Sequence, residues 1–143
     1  MNTRLICGVD EVGRGTLAGP VVASAVVLQE NHNIDGLDDS KQLSVKNREL
    51  LFPLIIENSI SVGIGIIDSQ IIDKLNIRRA TLLAMKNAIL DLKTKPDLVL
   101  VDGIDKIDIN IPNENIIKGD SKVDCIMAAS IIAKVKRDLL MKE

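Results

Sequence analysis

Three short apolar runs in this 143-residue chain each deliver an acid at or near their end. Leu5–Val9 leads into Asp10, Leu98–Val101 into Asp102, and Ile116-Ile117-Lys118 into Gly119-Asp120. Runs of this length and composition read as buried strands. An acid behind such a strand sits at the lip of the core, where ionisation costs hydration unless something offsets the loss. Ligand sites form where parallel strands end. If the first run were antiparallel to the one before Asp102, the two acids would face opposite ways. The first and fourth strands are therefore expected to lie parallel and adjacent, with their carboxylates meeting. For Asp10 taken alone, the competing reading is a turn-forming acid bonded to nearby backbone.

The rest of the chain fills in around that constraint. Val21–Leu28 reads as a second strand, with Gly13, Gly15, Gly19 and Pro20 punctuating the link before it. The link is short enough for the first two strands to pair antiparallel. Ser44 is placed to cap a helix over Val45–Asn58, which Pro53 should end or kink. Ile60–Ile67 is a third strand, and Asp68 starts a short helix. A longer helix over Ile77–Leu92 spaces Ala80, Leu83, Ala84 and Ala88 to pack on a sheet. Asn115–Lys118 is read as the fifth strand and Val123–Met141 as the last helix. This order predicts an α/β fold: one domain with a mixed five-stranded sheet and helices on both faces.

Composition narrows the function classes. The chain holds one Phe and neither Tyr nor Trp, so the core must be aliphatic. Stacking of bases on aromatic platforms is almost excluded. Net charge is −2, unevenly spread: residues 1–39 carry two basic and six acidic side chains, residues 40–95 nine and five. That alternation suits a carboxylate site flanked by phosphate-gripping surfaces, although ordinary solvated faces look similar. Cys7 and Cys125 lie in apolar stretches with no metal spacing and read as buried thiols. No signal-peptide pattern opens the chain, and the apolar runs stop short of the roughly 20 residues a membrane span needs. A soluble cytoplasmic protein is expected.

The densest chemical signal is Asp10-Glu11-Val12-Gly13-Arg14-Gly15, two carboxylates followed at once by a glycine-arginine-glycine turn. An oxygen-only cluster of Asp10, Asp102 and Asp120 favours a hard cation, Mg²⁺ or Mn²⁺. Such ions usually serve phosphate chemistry, and two of them can support an in-line displacement. Asp38, Asp39, Asp105 and Asp108 follow no core strand and read as solvated or turn residues. Gly13–Ala18 also fits a dinucleotide-binding fingerprint, but that motif should open a helix, whereas a β-branched run follows here. Ser40-Lys41 and Ser121-Lys122 are candidate phosphate contacts. Ser130 and Lys134 share a helix face, with a plain Lys134–Asp138 pair as the alternative for the lysine. His32 stands alone in a polar loop, and no catalytic role is expected of it.

These residues resemble those of the bacterial ribonuclease HII family, the type 2 ribonucleases H. The resemblance covers nearly the whole chain. It runs through Gly8–Gly15, Leu17–Ala23, Asp39-Ser40-Lys41-Gln42-Leu43, Asn76–Met85, Val101-Asp102-Gly103, Lys118–Lys122 and Ala128–Asp138, in family order. It implies the ribonuclease H fold and endonucleolytic cleavage of RNA paired with DNA. Incision at single ribonucleotides embedded in duplex DNA, leaving 5′-phosphates, is implied as well. It implies that Asp10, Glu11, Asp102 and Asp120 hold Mn²⁺ or Mg²⁺, two ions during catalysis. The backbone of Gly13, Arg14 and Gly15 would read the ribose 2′-hydroxyl, the group that separates RNA from DNA. Ser40, Lys41, Lys122, Ser130 and Lys134 are the remaining substrate-binding candidates. No membrane is involved, and a monomer is expected. Thr16 stands where the family usually has Pro. The family's further C-terminal helical segment, with its sugar-stacking Tyr, is lacking here. The chain thus reads as a C-terminally truncated member, an active nuclease or alternatively an inactive or weakly active hybrid-binding or vestigial domain.

Overall fold

The central strand of the sheet shows how the chain sorts its residues. In β1 (Ile6–Val12), Cys7 and Val9 point to one face, and Gly8 and Asp10 to the other, as the two-residue period of a strand requires. The computed structural model describes residues 4–13, 19–37 and 44–142. After β1 come β2 (Val21–Leu28), α1 (Val45–Glu57), β3 (Ser59–Ile67), α2 (Ser69–Leu75) and α3 (Ile77–Leu90). They are followed by β4 (Leu98–Asp102), β5 (Asn113–Ile116) and α4 (Asp124–Met141). The strands form one mixed five-stranded sheet in the order β3-β2-β1-β4-β5. β1 pairs antiparallel with β2, and β2 with β3. β1 pairs parallel with β4, and β4 with β5. The expected parallel neighbours, first and fourth strands, are therefore found.

Each face of the sheet is closed by small or aliphatic side chains. On one face Cys7, Val9, Ala23, Ala25, Val99 and Val101 pack with Ala80, Ala84 and Ala88 of α3. Helix α3 rides so close to β3 that a Cβ on Gly63 or Gly65 would strike the carbonyl oxygen of Ala88 or Ala84. On the other face Val26 packs with Leu51 and Ile55 of α1 and with Ala128, Ile131, Ile132 and Val135 of α4. Helix α4 reaches β1 itself at Gly8, where a Cβ would collide with the backbone of Cys125 and Ile126. Cys7 and Cys125 are buried free thiols, and burial pushes Cys125 up to about 11 and Cys7 further.

The structure refines the sequence expectations at three places. Pro53 neither ends nor bounds α1: the helix runs through it to Glu57, anchored by buried Leu51 and Ile55 on either side. The N-cap is the expected one, with the Asn47 N–H donating to Ser44 Oγ at 3.2 Å. β5 lies two residues earlier than the expected Asn115–Lys118. Lys118 adopts a left-handed conformation (φ 56°) that a strand cannot continue through. Polar residues suit β5 because the Asn113 and Asn115 side-chain amides donate to carbonyls of Ile107, Ile111 and Asp105. Finally, Asp105, expected as a solvated or turn residue, accepts at Oδ1 from Arg78 Nε and Nη2 at 3.2 and 2.9 Å.

The contact at Gly8 yields a test. Gly8→Ala should destabilise the fold by about 3 kcal/mol, the upper range for overpacking, because the obstacle is helix backbone rather than a side chain that can rotate. A urea midpoint unchanged from the parent would show that α4 does not sit against β1 in this way.

Candidate metal centre

The three aspartates meet because of strand register. Gly8 stands beside Leu100 and Val9 beside Val101 in the parallel β1–β4 ladder. Asp10 and Asp102 each lie two residues further on, and so share the face that α4 covers. Beyond β4, Gly103 turns the chain away at φ +117°. Asp102 pairs with Ile116 at the end of β5, and the Gly119 N–H then donates to Asp102 Oδ1 at 2.7 Å. That bond fixes the single helical turn Gly119–Ser121, which carries Asp120. Within the turn, Ser121 donates from both N and Oγ to the Lys118 carbonyl, at 3.1 and 2.9 Å. As a result, one carboxylate oxygen from each of Asp10, Asp102 and Asp120 lies within 4.8 Å of the others.

Electrostatics mark this cluster as one that a cation would suit. Asp10 is only 4% exposed, while Asp102 and Asp120 are half-buried. Burial pushes the Asp10 carboxyl well above its ordinary range, and the neighbouring charges of Glu11 and Asp102 push it further. The Glu11 N–H, donating to Asp10 Oδ1 at 2.8 Å, pulls weakly the other way. The backbone-bonded acid and the clustered acid are therefore the same residue. Among the described residues no Lys, Arg or His forms a salt bridge with any of the three aspartates. Three converging oxygen donors without His or Cys fit a hard divalent ion.

Glu11 is placed differently. Alternation turns it away from Asp10's face, opposite Ala23 of β2. Strand alternation would let it join the cluster only where β1 loses regularity. The β1–β4 pairing does stop at Val9, but the pairing with β2 runs on to Val12. The Glu11 side chain stays outside the three-aspartate group.

The described ones among the other sequence candidates sit at the end of β1, before α4 and on α4. Gly13 has φ +109° and lies against Pro20 and Arg137. Arg14, Gly15, Ser40 and Lys41, like Asp38 and Asp39, fall outside the described residues. The run after Gly19-Pro20 is strand β2, so no helix follows there to complete a dinucleotide fingerprint. Lys122 is exposed and lines a groove with Arg4, His32 and Asp124. His32 Nε2 lies 3.2 Å from Asp124 Oδ2, a contact that ties its loop to α4. Ser130 is buried (4% exposed) and Lys134, a turn later, half-buried. Asp138 pairs across to Arg48 of α1 at 3.6 Å rather than with Lys134. The sequence reading missed Arg137, a buried arginine whose Nε donates to the Pro20 carbonyl at 2.9 Å. Its spacing from Ile126, Ser130 and Ala133 was the available signal, since steps of three and four share a helix face.

Asp10 also gives the fold a pH dependence. Its raised pKa means that the folded state holds a proton the unfolded chain releases above the ordinary value of 3.8. Stability contributed by that proton is full below this value and declines as pH rises. Without divalent metal, Asp10→Asn should remove the decline and raise Tm near neutral pH by about 2–5 °C. Thermal scans of both proteins in chelator from about pH 4 to 7 would settle it. A constant difference across that range would mean that Asp10 ionises freely.

The model of the ribonuclease HII family matches residues 7–143. The ribonuclease HII of Acetivibrio thermocellus is 52% identical over 140 residues, spanning 98% of this chain. This chain covers only 55% of that relative's length. The solved ribonuclease H2 from Pyrococcus horikoshii superposes with a TM-score of 0.84 at 30% identity, covering 96% of this chain and 74% of that one. A ribonuclease HIII, Bst-RNase HIII in complex with Mn²⁺, superposes with a TM-score of 0.71 at 25% identity, covering 97% of this chain and 53% of that one. The sheet with its flanking helices is thus the ribonuclease H-like fold. Identity above one half, sustained from β1 to α4, assigns the sequence as well as the fold: this chain belongs to the ribonuclease HII family.

Proposed function

We propose that this chain is a metal-dependent endoribonuclease that hydrolyses the RNA strand of RNA–DNA hybrids and incises at ribonucleotides embedded in duplex DNA. The observation that carries the reading is the convergence of Asp10, Asp102 and Asp120 within 4.8 Å, in a chain of this family. These three residues, with Glu11 beside Asp10, would hold Mg²⁺ or Mn²⁺. Bound there, the divalent ion supplies a Lewis acid for phosphodiester hydrolysis, lowering the pKa of water and stabilising the leaving oxygen.

The chain's own part is to hold and orient. The Gly119 N–H keeps the Asp102 carboxylate aimed at the cluster. Asp10, driven toward its protonated form by burial and its neighbours, ionises when positive charge arrives beside it. As the family resemblance implies, the backbone of Gly13, with Arg14 and Gly15, would read the ribose next to the scissile phosphate. A 2′-hydroxyl there distinguishes RNA from DNA. Lys122 and Lys134, with Ser130 and the undescribed Ser40 and Lys41, are assigned to the flanking phosphates. Among the described residues no helix is long and apolar enough to cross a membrane.

A duplex carrying one ribonucleotide is the substrate of choice. Cleavage should need Mg²⁺ or Mn²⁺, stop with chelator, and fall about 10³-fold or more in Asp10→Asn, roughly 4 kcal/mol of barrier. Undiminished cleavage by Asp10→Asn removes that residue from the mechanism, and binding without cleavage leaves the chain as a hybrid-binding domain. Lys122→Ala and Lys134→Ala should each reduce the slope of log affinity against log salt by about 0.9. A slope equal to the parent's would withdraw that lysine from the phosphate contacts.

A further inference from the structure

Among the described residues only two charged side chains are buried, Asp10 and Arg137. Asp10 belongs to the metal centre, while the cleavage proposed above gives Arg137 no role. Its position follows from how α4 lies on the sheet. The helix is seated on β1 at Gly8 by its first turn. From Cys125 to Arg137 the helix rises about 18 Å, and from Gly8 to Gly13 an extended chain covers about 16 Å. The helix and β1 keep pace, and Arg137 arrives over the point where β1 ends.

There the guanidinium lies between the two ends of the β1–β2 connection. Nε donates to the Pro20 carbonyl at 2.9 Å. A Cβ on Gly13 would stand 2.8 Å from Arg137 Nε, and one on Gly19 would stand 3.0 Å from Nη2. Both glycines have positive φ, +109° and +97°. Each is needed twice, for its backbone conformation and for the room it leaves the guanidinium. Burying a cation is costly, and an apolar side chain of similar volume often serves stability as well or better. A buried arginine here therefore points to a task other than packing.

We propose that Arg137 is a positioning residue that sets the place of Gly13 relative to the aspartate cluster, and through it the chain's preference for a ribonucleotide over a deoxyribonucleotide. The inference deepens the proposed function and rests on its assignment of Gly13 to the ribose. In this proposal Arg137 acts through the backbone of Gly13 and Pro20.

The test compares the parent chain with Arg137→Met and Arg137→Lys in two measurements. The first is affinity for a duplex with one ribonucleotide against the same all-DNA duplex. Arg137→Met should lose at least tenfold in that ratio while all-DNA affinity stays within twofold, and Arg137→Lys should recover part of the loss. A general structural defect would weaken both duplexes together. The second measurement is amide exchange at Gly13 and Val21, read by NMR in the parent and Arg137→Met without nucleic acid. Exchange should quicken at least tenfold there and stay unchanged in α3 and β4. A preserved affinity ratio or unchanged local exchange in Arg137→Met overturns the proposal. A parent chain that fails to discriminate the duplexes defeats instead the assignment of Gly13 to the ribose, and the exchange measurement still judges Arg137. If Arg137→Met does not fold, Gly19→Ala in a Met141→Ala background, where the added methyl meets the guanidinium rather than the Met141 thioether, must reproduce both losses.

Discussion

The parallel pairing of β1 with β4 is the constraint on which the rest of the structure depends. Parallel neighbours cannot be joined by a hairpin, so the chain between them must make a return journey. It does so by extending the sheet antiparallel through β2 and β3, then crossing back along α3. The alanines of α3 and the two glycines of β3 let that return lie close to the sheet. Only then can Leu98 enter beside Ile6, which puts Asp10 level with Asp102. β5 repeats the parallel step on the other side of β4 and brings in Asp120.

That arrangement sets stability against function within a few residues. Three clustered carboxylates repel one another, and the most buried of them resists ionisation. The hydrophobic bulk that tolerates this is aliphatic, split between an alanine-lined layer under α3 and an Ile- and Val-rich layer under α1 and α4. Small residues at the contacts bring helices close enough that backbone meets backbone, as at Gly8. Close packing of this kind holds side chains to one arrangement, which a site built from several strand ends requires.

Among the described residues, the two buried charges sit at the two ends of one short stretch, Asp10 inside β1 and Arg137 over its exit. One is a liability that a bound cation would relieve. The other is held by the Pro20 carbonyl and by the absence of side chains on Gly13 and Gly19. Helix α4 links them, because the same helix that covers the face of Asp10 carries Arg137 to the loop. A stiff element crossing the whole face is well suited to keep the backbone at Gly13 and the aspartate cluster in fixed relation.

The local pattern alone located most strands and helices, because buried strands show as β-branched runs and sheet-packing helices as small residues at steps of three and four. β2 and the cap at Ser44 were legible to the residue. Asp10, Asp102 and Asp120 were legible as a set, since each closes an apolar run and a charge at the lip of a core needs a partner. β5 was misplaced because its residues are polar: their side chains bond to a loop that no local pattern reveals. Helix α1 passes Pro53 because tertiary packing on both sides outweighs one lost backbone bond. Whether Glu11 faces the cluster, which partner Asp138 takes, and where Arg137 lies were decided by tertiary structure. Each depends on groups distant in sequence, the β1–β4 boundary, Arg48 and the Pro20 carbonyl. A residue's period places it on a face, but only the packed fold determines what that face meets.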